Sequence, residues 1–224
     1  MRRLYLPMRI WDLPTRLFHW VLVVLIFAAW LSAWRDWMRV HVVCGLSVLT
    51  LLLFRLIWGF IGSDTARVSH FLKSPMAGMQ HLLRVFRREQ DVEAGHNAAG
   101  GWMIILLLAL LCVQVGTGLC SNDDIMVEGP LAEFVGKDRS DWLTHIHHVN
   151  FTLIEIAISL HVLAIVAYRV LKGHNLLLPM ITGKKRLPGA TRAPRMMHPI
   201  LALGVLVFSA MSVALFLLLA GYIP

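Results

Sequence analysis

Apolar residues gather along this chain into five long runs, about Leu17 to Trp34, Val40 to Phe60, Gly101 to Leu119, Trp142 to Val170 and Pro199 to Ile223, with polar connections between them. A helix needs about 20 apolar residues to cross the hydrocarbon layer, with a lower bound of about 17, and each run is that long. The pattern predicts an all-α integral membrane protein. No fixed-period repeat or low-complexity tract interrupts it. The first four runs are expected to form a four-helix transmembrane bundle over residues 1–196, with a fifth, C-terminal transmembrane helix over 197–224. In the long connection between the second and third runs, Met76, Met79, Leu83 and Phe86 are set against Arg84, Arg87 and Arg88. A short amphipathic helix is expected over Pro75 to Arg88, lying on the membrane surface or packed on the bundle.

Composition agrees with that reading and removes soluble classes from consideration. Hydrophobic residues make up 58% of the chain and charged residues 15%, and the mean hydropathy is +0.68, outside the range of soluble domains. The formal net charge of +8 is unevenly placed. Of 21 Lys and Arg residues, 17 fall at the N-terminus and in the Arg55 to Ala99 and Arg169 to Met196 connections. Only Arg35, Arg39, Lys137 and Arg139 lie in the alternate loops. By the positive-inside rule the N-terminus is cytoplasmic, and five crossings leave the C-terminus outside. The first run lacks a small-residue cleavage site, so it is expected to stay as a signal anchor with Met1 retained. The basic charge is thus a topology signal, and a nucleic-acid partner is not expected. Three cysteines, Cys44, Cys112 and Cys120, match no CxxC or CxxCH spacing, which disfavours covalent haem and a thiolate metal site. One translocated loop runs against the basic balance: Ser121 to Asp141 holds six acids, Asp123, Asp124, Glu128, Glu133, Asp138 and Asp141, against Lys137 and Arg139. It is a candidate docking patch for a basic partner.

The chemistry lies in the histidines. His147 and His161 are 14 residues apart, which on an α-helix returns to within about 40° of one face and separates them by roughly 21 Å. One imidazole then sits near each side of the bilayer, facing the same interior. His145 and His148 fall about 160° and 140° away from His161, so His147 alone is in phase. His19 opens the first run at the cytoplasmic side and His41 opens the second at the periplasmic side. Depth therefore pairs His19 with His161 and His41 with His147. Two imidazoles per level suit a haem, whose iron keeps two axial positions for neutral histidines and becomes a low-spin electron-transfer centre. Zinc or copper is disfavoured because such sites want three or four protein ligands at one level.

Neighbouring residues fit a flat macrocycle. Gly45 follows His41 by one turn and removes a side chain where a macrocycle edge would press, and Gly116 and Gly118 are placed to do the same on the third run. Arg16, one turn before His19, is either a partner for haem propionates or a positive-inside anchor. His70, His81, His96, His174 and His198 are expected at surfaces or interfaces. Glu155, mid-way along the fourth run, points about 80° from His147 and about 120° from His161. It is expected to pair with another span or to stay protonated in the core, with a proton-handling or quinone-contacting role as the alternative.

Several stretches together resemble the bacterial cytochrome b561 family, which includes the b-type cytochrome subunits of membrane-bound nickel-iron hydrogenases. They are "RIWDLPTRLFHW" before the first span, "VHVVCG" opening the second, "GHNAAGGWM" opening the third, "DDIMVEGPLA" in the acidic loop and "NLLLPMITGKK" after the fourth. The resemblance runs from about Arg9 to Lys185. It implies a four-helix di-haem core in a bacterial inner membrane, with two non-covalent haems b ligated by His19, His41, His147 and His161. It also implies electron transfer between the quinone pool and a redox partner, either a hydrogenase or a periplasmic c-type cytochrome. The chain has no nucleotide-binding fingerprint or soluble catalytic domain, so a redox subunit is expected rather than a complete enzyme. The leading reading is a conduit between quinone and a periplasmic c-type cytochrome. A hydrogenase anchor docked on the small subunit is the alternative, and a proton-coupled transporter using histidines and Glu155 is the alternative of another class. Arg55, Gln114 and the cluster of Arg84, Arg87 and Arg88 are the candidate quinone contacts.

Overall fold

The computed structural model describes residues 5–84, 93–125 and 127–222. Strand β1 (Tyr5–Arg9) leads into α1 (Leu13–Trp34) and α2 (Met38–Ile61). A 3-10 turn (Asp64–Ala66) and two short helices, α3 (Val68–Phe71) and α4 (Pro75–Leu83), precede α5 (Ala98–Gly118). Then come α6 (Ala132–Val135), α7 (Lys137–Ala167) with a π-helical extension (Tyr168–Lys172), α8 (Leu177–Thr182), strand β2 (Lys184–Pro188) and α9 (Pro199–Leu219). Among the described residues five helices, α1, α2, α5, α7 and α9, are long and apolar enough to cross a membrane. The protein is a multi-pass membrane protein.

Four of these helices, α1, α2, α5 and α7, begin earlier than their apolar runs, and polar caps start two of them. Asp12 caps α1: its Oδ1 accepts from Thr15 N at 2.7 Å, and its Oδ2 accepts from Trp58 Nε1 at 3.2 Å. Asn97 does the same for α5 by accepting from Gly100 N at 2.7 Å. Helix α7 starts at Lys137, with Asp138 in its first turn, so its opening turn is polar and escapes a search for apolar length.

The chain forms two compact units. The first draws on Met1–Leu17, Leu56–Leu106 and Ala157–Ala202. Its unpredicted feature is the antiparallel pairing of β1 with β2, in register Tyr5↔Pro188 to Arg9↔Lys184. Buried Ile10, Trp11 and Leu187 form the adjoining core, packed by Met8, Ala94 and Met180. Gly183 makes the turn into β2: it has φ 79°, its carbonyl accepts from Ile10 N at 2.9 Å and Trp11 N at 3.2 Å, and a Cβ there would lie 2.9 Å from the Trp11 carbonyl. Only glycine fits both the left-handed backbone and the contact. The segment entering α9 is also pinned, since Asp64 Oδ2 accepts from Arg195 N at 2.9 Å and Ser63 Oγ from Met197 N at 2.9 Å.

In the same unit α4 forms on a Ser74 cap but stops at Leu83, with Arg84 at its end. The expected continuation through Phe86, Arg87 and Arg88 lies outside the described residues. The helix seats Gly78 against Trp102 and leaves Met76, Met79 and Leu83 exposed. Of the five histidines expected at surfaces or interfaces, His81, His96 and His174 are half-buried and His70 and His198 are exposed. His96 lies between Trp11, at 4.4 Å between ring centroids, and Phe71, at 5.5 Å, while His81 stacks on Tyr168 at 6.1 Å. An aromatic neighbour distant in sequence decided both positions.

The second unit draws on Phe18–Arg55, Leu107–Ile156 and Leu203–Pro224. Asp36 turns α1 into α2 in the left-handed conformation, φ 56°, which a short polar side chain tolerates. Cys44, Val48, Leu52, Leu111, Val115 and Ile154 are buried in this unit, and α9 buries Val205, Ser209, Val213 and Leu217 on one face. Glu155 does not follow expectation: it is exposed and pairs with no other span among the described residues.

Candidate functional site

His41 and His147 meet in the second unit, with ring centroids 6.0 Å apart and planes at 77°. Each ring is held from behind. His41 Nδ1 lies 2.9 Å from the Ala29 carbonyl, and His147 Nδ1 lies 2.9 Å from the Gln114 carbonyl and 3.2 Å from Thr117 Oγ1. A carbonyl only accepts, so both Nδ1 atoms carry the proton and both Nε2 atoms keep a lone pair for a metal. Thr117 donates its own hydroxyl proton back to its helix, to Val113 O at 2.8 Å and Gln114 O at 3.0 Å, which leaves its lone pairs for His147.

The support extends one layer further out. Buried Asn150, three residues past His147, donates to Leu110 O at 2.9 Å and to Gln114 Oε1 at 2.7 Å. Gln114, expected as a quinone contact, is thereby engaged in holding the histidine. Gly118 has a role different from the expected one: a Cβ there would lie 3.0 Å from His147 Cε1, so the glycine admits the imidazole rather than a macrocycle. Gly45 and Gly116 face open space, with nothing within 4 Å of a built Cβ.

Two imidazoles with centroids 6.0 Å apart, each with Nε2 unprotonated, and open space at Gly45 and Gly116 define what fits. A metal–imidazole bond is about 2 Å, so rings on opposite sides of one ion have centroids roughly 6 Å apart. The observed separation matches. Among the described residues no three His, Cys, Asp or Glu side chains converge on one point, so a group bringing its own equatorial ligands suits the pair better than a bare cation. An iron tetrapyrrole is such a group.

The other expected ligands stand as follows. His19 on α1 is half-buried and meets Trp20 edge-on at 4.9 Å. His161 on α7 is half-buried, 14 residues past His147. Arg16 in the first unit donates from Nη2 to the Ile181 carbonyl at 2.5 Å. Its Nε is buried and has no hydrogen-bond partner among the described residues, and neither has Thr15 Oγ1 beside it. A buried guanidinium donor left open suits an acidic group such as a propionate.

The matching family model is that of prokaryotic cytochrome b561, over residues 10–183. The chain belongs to this family. No curated protein and no solved structure matches it. As a prokaryotic cytochrome b561 the protein is a membrane b-type cytochrome of electron transfer, and it binds haem b. The match ends at Gly183, so α9 lies outside it.

Sequence reasoning missed Asn150, Thr117 and the Ala29 carbonyl. The signal for the first was present, since Asn150 is a polar residue inside an apolar run, one turn from His147. The acidic loop also spends part of its charge internally. Lys137 pairs with Asp124 and, at 2.7 Å, with Asp141, and Asp123 Oδ1 accepts from Ile125 N and Val127 N. Glu128, Glu133 and Asp138 remain exposed. Cys120, just past α5, is a half-buried free thiol whose burial raises its pKa, which disfavours the thiolate a metal would need.

Proposed function

We propose that this cytochrome b561 holds two haems b, one between His41 and His147 and one between His19 and His161, and relays electrons across the bilayer between the quinone pool and a basic periplasmic c-type cytochrome. The facing of His41 and His147, each backed at Nδ1, is the observation that carries the reading. Bound haem b supplies one-electron chemistry at its iron. His41 with His147, and His19 with His161, would hold the haems, and ligation by paired neutral histidines would favour electron transfer over oxygen chemistry. Ala29, Gln114 and Thr117 fix the tautomer and raise the basicity of the ligands. Arg16 anchors an acidic edge at the level of His19. The Lys and Arg distribution supports a bacterial inner-membrane topology with a cytoplasmic N-terminus, and with it a His41–His147 level on the periplasmic side.

Reconstituted holoprotein tests this relay. Added quinol is expected to reduce the haem absorption bands, and a basic ferric cytochrome c added afterwards to reoxidise them. A chain reduced by dithionite but never by quinol contradicts the quinone end of the proposal.

Two further outcomes follow. Thr117→Val removes one acceptor from His147 Nδ1–H and lowers the ligand's basicity, so the midpoint potential of one haem is expected to rise while the other stays put. Redox titration in the visible bands reads this, and two unmoved potentials would contradict the assignment. At the docking end, neutralising Glu128, Glu133 and Asp138 together is expected to slow association with a basic cytochrome by about tenfold at low ionic strength, and added salt to have the same effect on the unaltered protein. Association insensitive to both changes points to a different partner surface, as a hydrogenase small subunit would use.

A further inference from the structure

Helix α7 has two faces of opposite character. Asn150, Ile154 and Ala157 are buried. His145, His148, Thr152, Glu155 and Ser159 are all exposed, and their steps of three, four, three and four residues set them in one stripe. At about 100° per residue the stripe is centred roughly 170° from the buried three. Among the described residues His145, Thr152, Glu155 and Ser159 make no side-chain hydrogen bond or ion pair. Val149, Ile156 and Leu160 flank the stripe and are half exposed.

A carboxyl and two hydroxyls facing lipid from a membrane-crossing helix are costly. Such groups are satisfied when another helix covers them, and they then act as specific glue. The spacing is the heptad seam along which two helices pack.

The residue types choose the occupant. A carboxylic acid donates to a carboxylate across one shared proton, a hydroxyl both donates and accepts, and a neutral imidazole has one nitrogen of each kind. Every member of the stripe can therefore bond to its own counterpart, and no donor-only Lys or Arg interrupts the row. Two copies inserted with one topology present the stripe in parallel at equal depth, so about a two-fold axis Thr152 meets Thr152 and Glu155 meets Glu155. We propose that this face of α7 is a two-fold interface with a second copy of this chain.

Disulfide trapping in native membranes tests the proposal on the holoprotein. Cys44→Ala, Cys112→Ser and Cys120→Ser provide the background, with Thr152→Cys or Ser159→Cys added singly. Each is expected to cross-link on mild oxidation to a species of twice the 25.3 kDa chain mass, because such a bond needs Cα atoms within about 7 Å. Val24→Cys, on an exposed position of α1, is expected to stay monomeric. Stripe cysteines that cross-link no more than Val24→Cys, or that join a polypeptide of another mass, overturn the proposal. Independently, Glu155→Leu is expected to raise the dimer dissociation constant in lipid about tenfold, whereas Glu155→Gln, whose amide pairs with itself, retains most of the affinity. An unchanged constant for Glu155→Leu also overturns it. Should Glu155→Leu lose its haem spectrum, the trapping result decides.

Discussion

Replacing His147 with alanine is expected to remove half of the bound haem b, and replacing His148 to remove none. The two are adjacent and both imidazoles, so composition cannot separate them. Geometry does: the His147 ring faces His41 at 6.0 Å with Nδ1 against the Gln114 carbonyl, while His148 is exposed and meets His147 edge-on at 6.2 Å. Successive residues differ by about 100° in direction, so His148 cannot reach the same gap without unwinding the helix. A haem that both histidines would hold would keep one of its two protein ligands in His147→Ala and would be lost on purification. Haem quantified per chain after purification reads the outcome. Equal loss from both variants, or loss from His148→Ala alone, would move the ligand by one residue and with it the phase argument for His161.

The second large effect concerns stability. Asp12→Ala is expected to cost about 2–4 kcal/mol, because it removes the α1 cap, worth about 1 kcal/mol, and takes the Asp12 acceptor from a buried indole N–H, worth about 1–3 kcal/mol. Both bonds are seen, Thr15 N at 2.7 Å and Trp58 Nε1 at 3.2 Å, and Trp58 is fully buried. The melting temperature of the purified holoprotein is expected to fall by roughly 5–15 °C. Asp12→Asn keeps an oxygen for the cap and is expected to fall between the two. A melting temperature unchanged in Asp12→Ala would mean that α1 is held by its membrane packing alone.

These residues show where sequence reasoning reached and where it stopped. The five membrane helices follow from hydropathy, which acts locally and is large for every residue in a span. Helical phase and depth assign His41 and His147 to one level, and in the structure their rings lie 6.0 Å apart. The β1–β2 pairing is invisible in the sequence because two five-residue strands, each with a proline and one of them mostly basic, carry almost no strand signal. Their pairing is decided by Ile10, Trp11 and Leu187 meeting across most of the chain. Glu155 illustrates the same limit. Its phase showed that it points aside from the histidines, but which neighbours stand beside a helix is a tertiary fact that phase does not contain. Likewise spacing along α5 marks Gly118 as a place of close approach but cannot show that an imidazole from α7 occupies the space.

Whether four histidines hold two haems is read most directly from haem stoichiometry. A pyridine haemochrome assay is expected to find two haems b per chain in the unaltered protein, and one after alanine replaces His19, His41, His147 or His161 singly. One haem per chain in the unaltered protein, or full occupancy after replacing any of the four, would contradict the account.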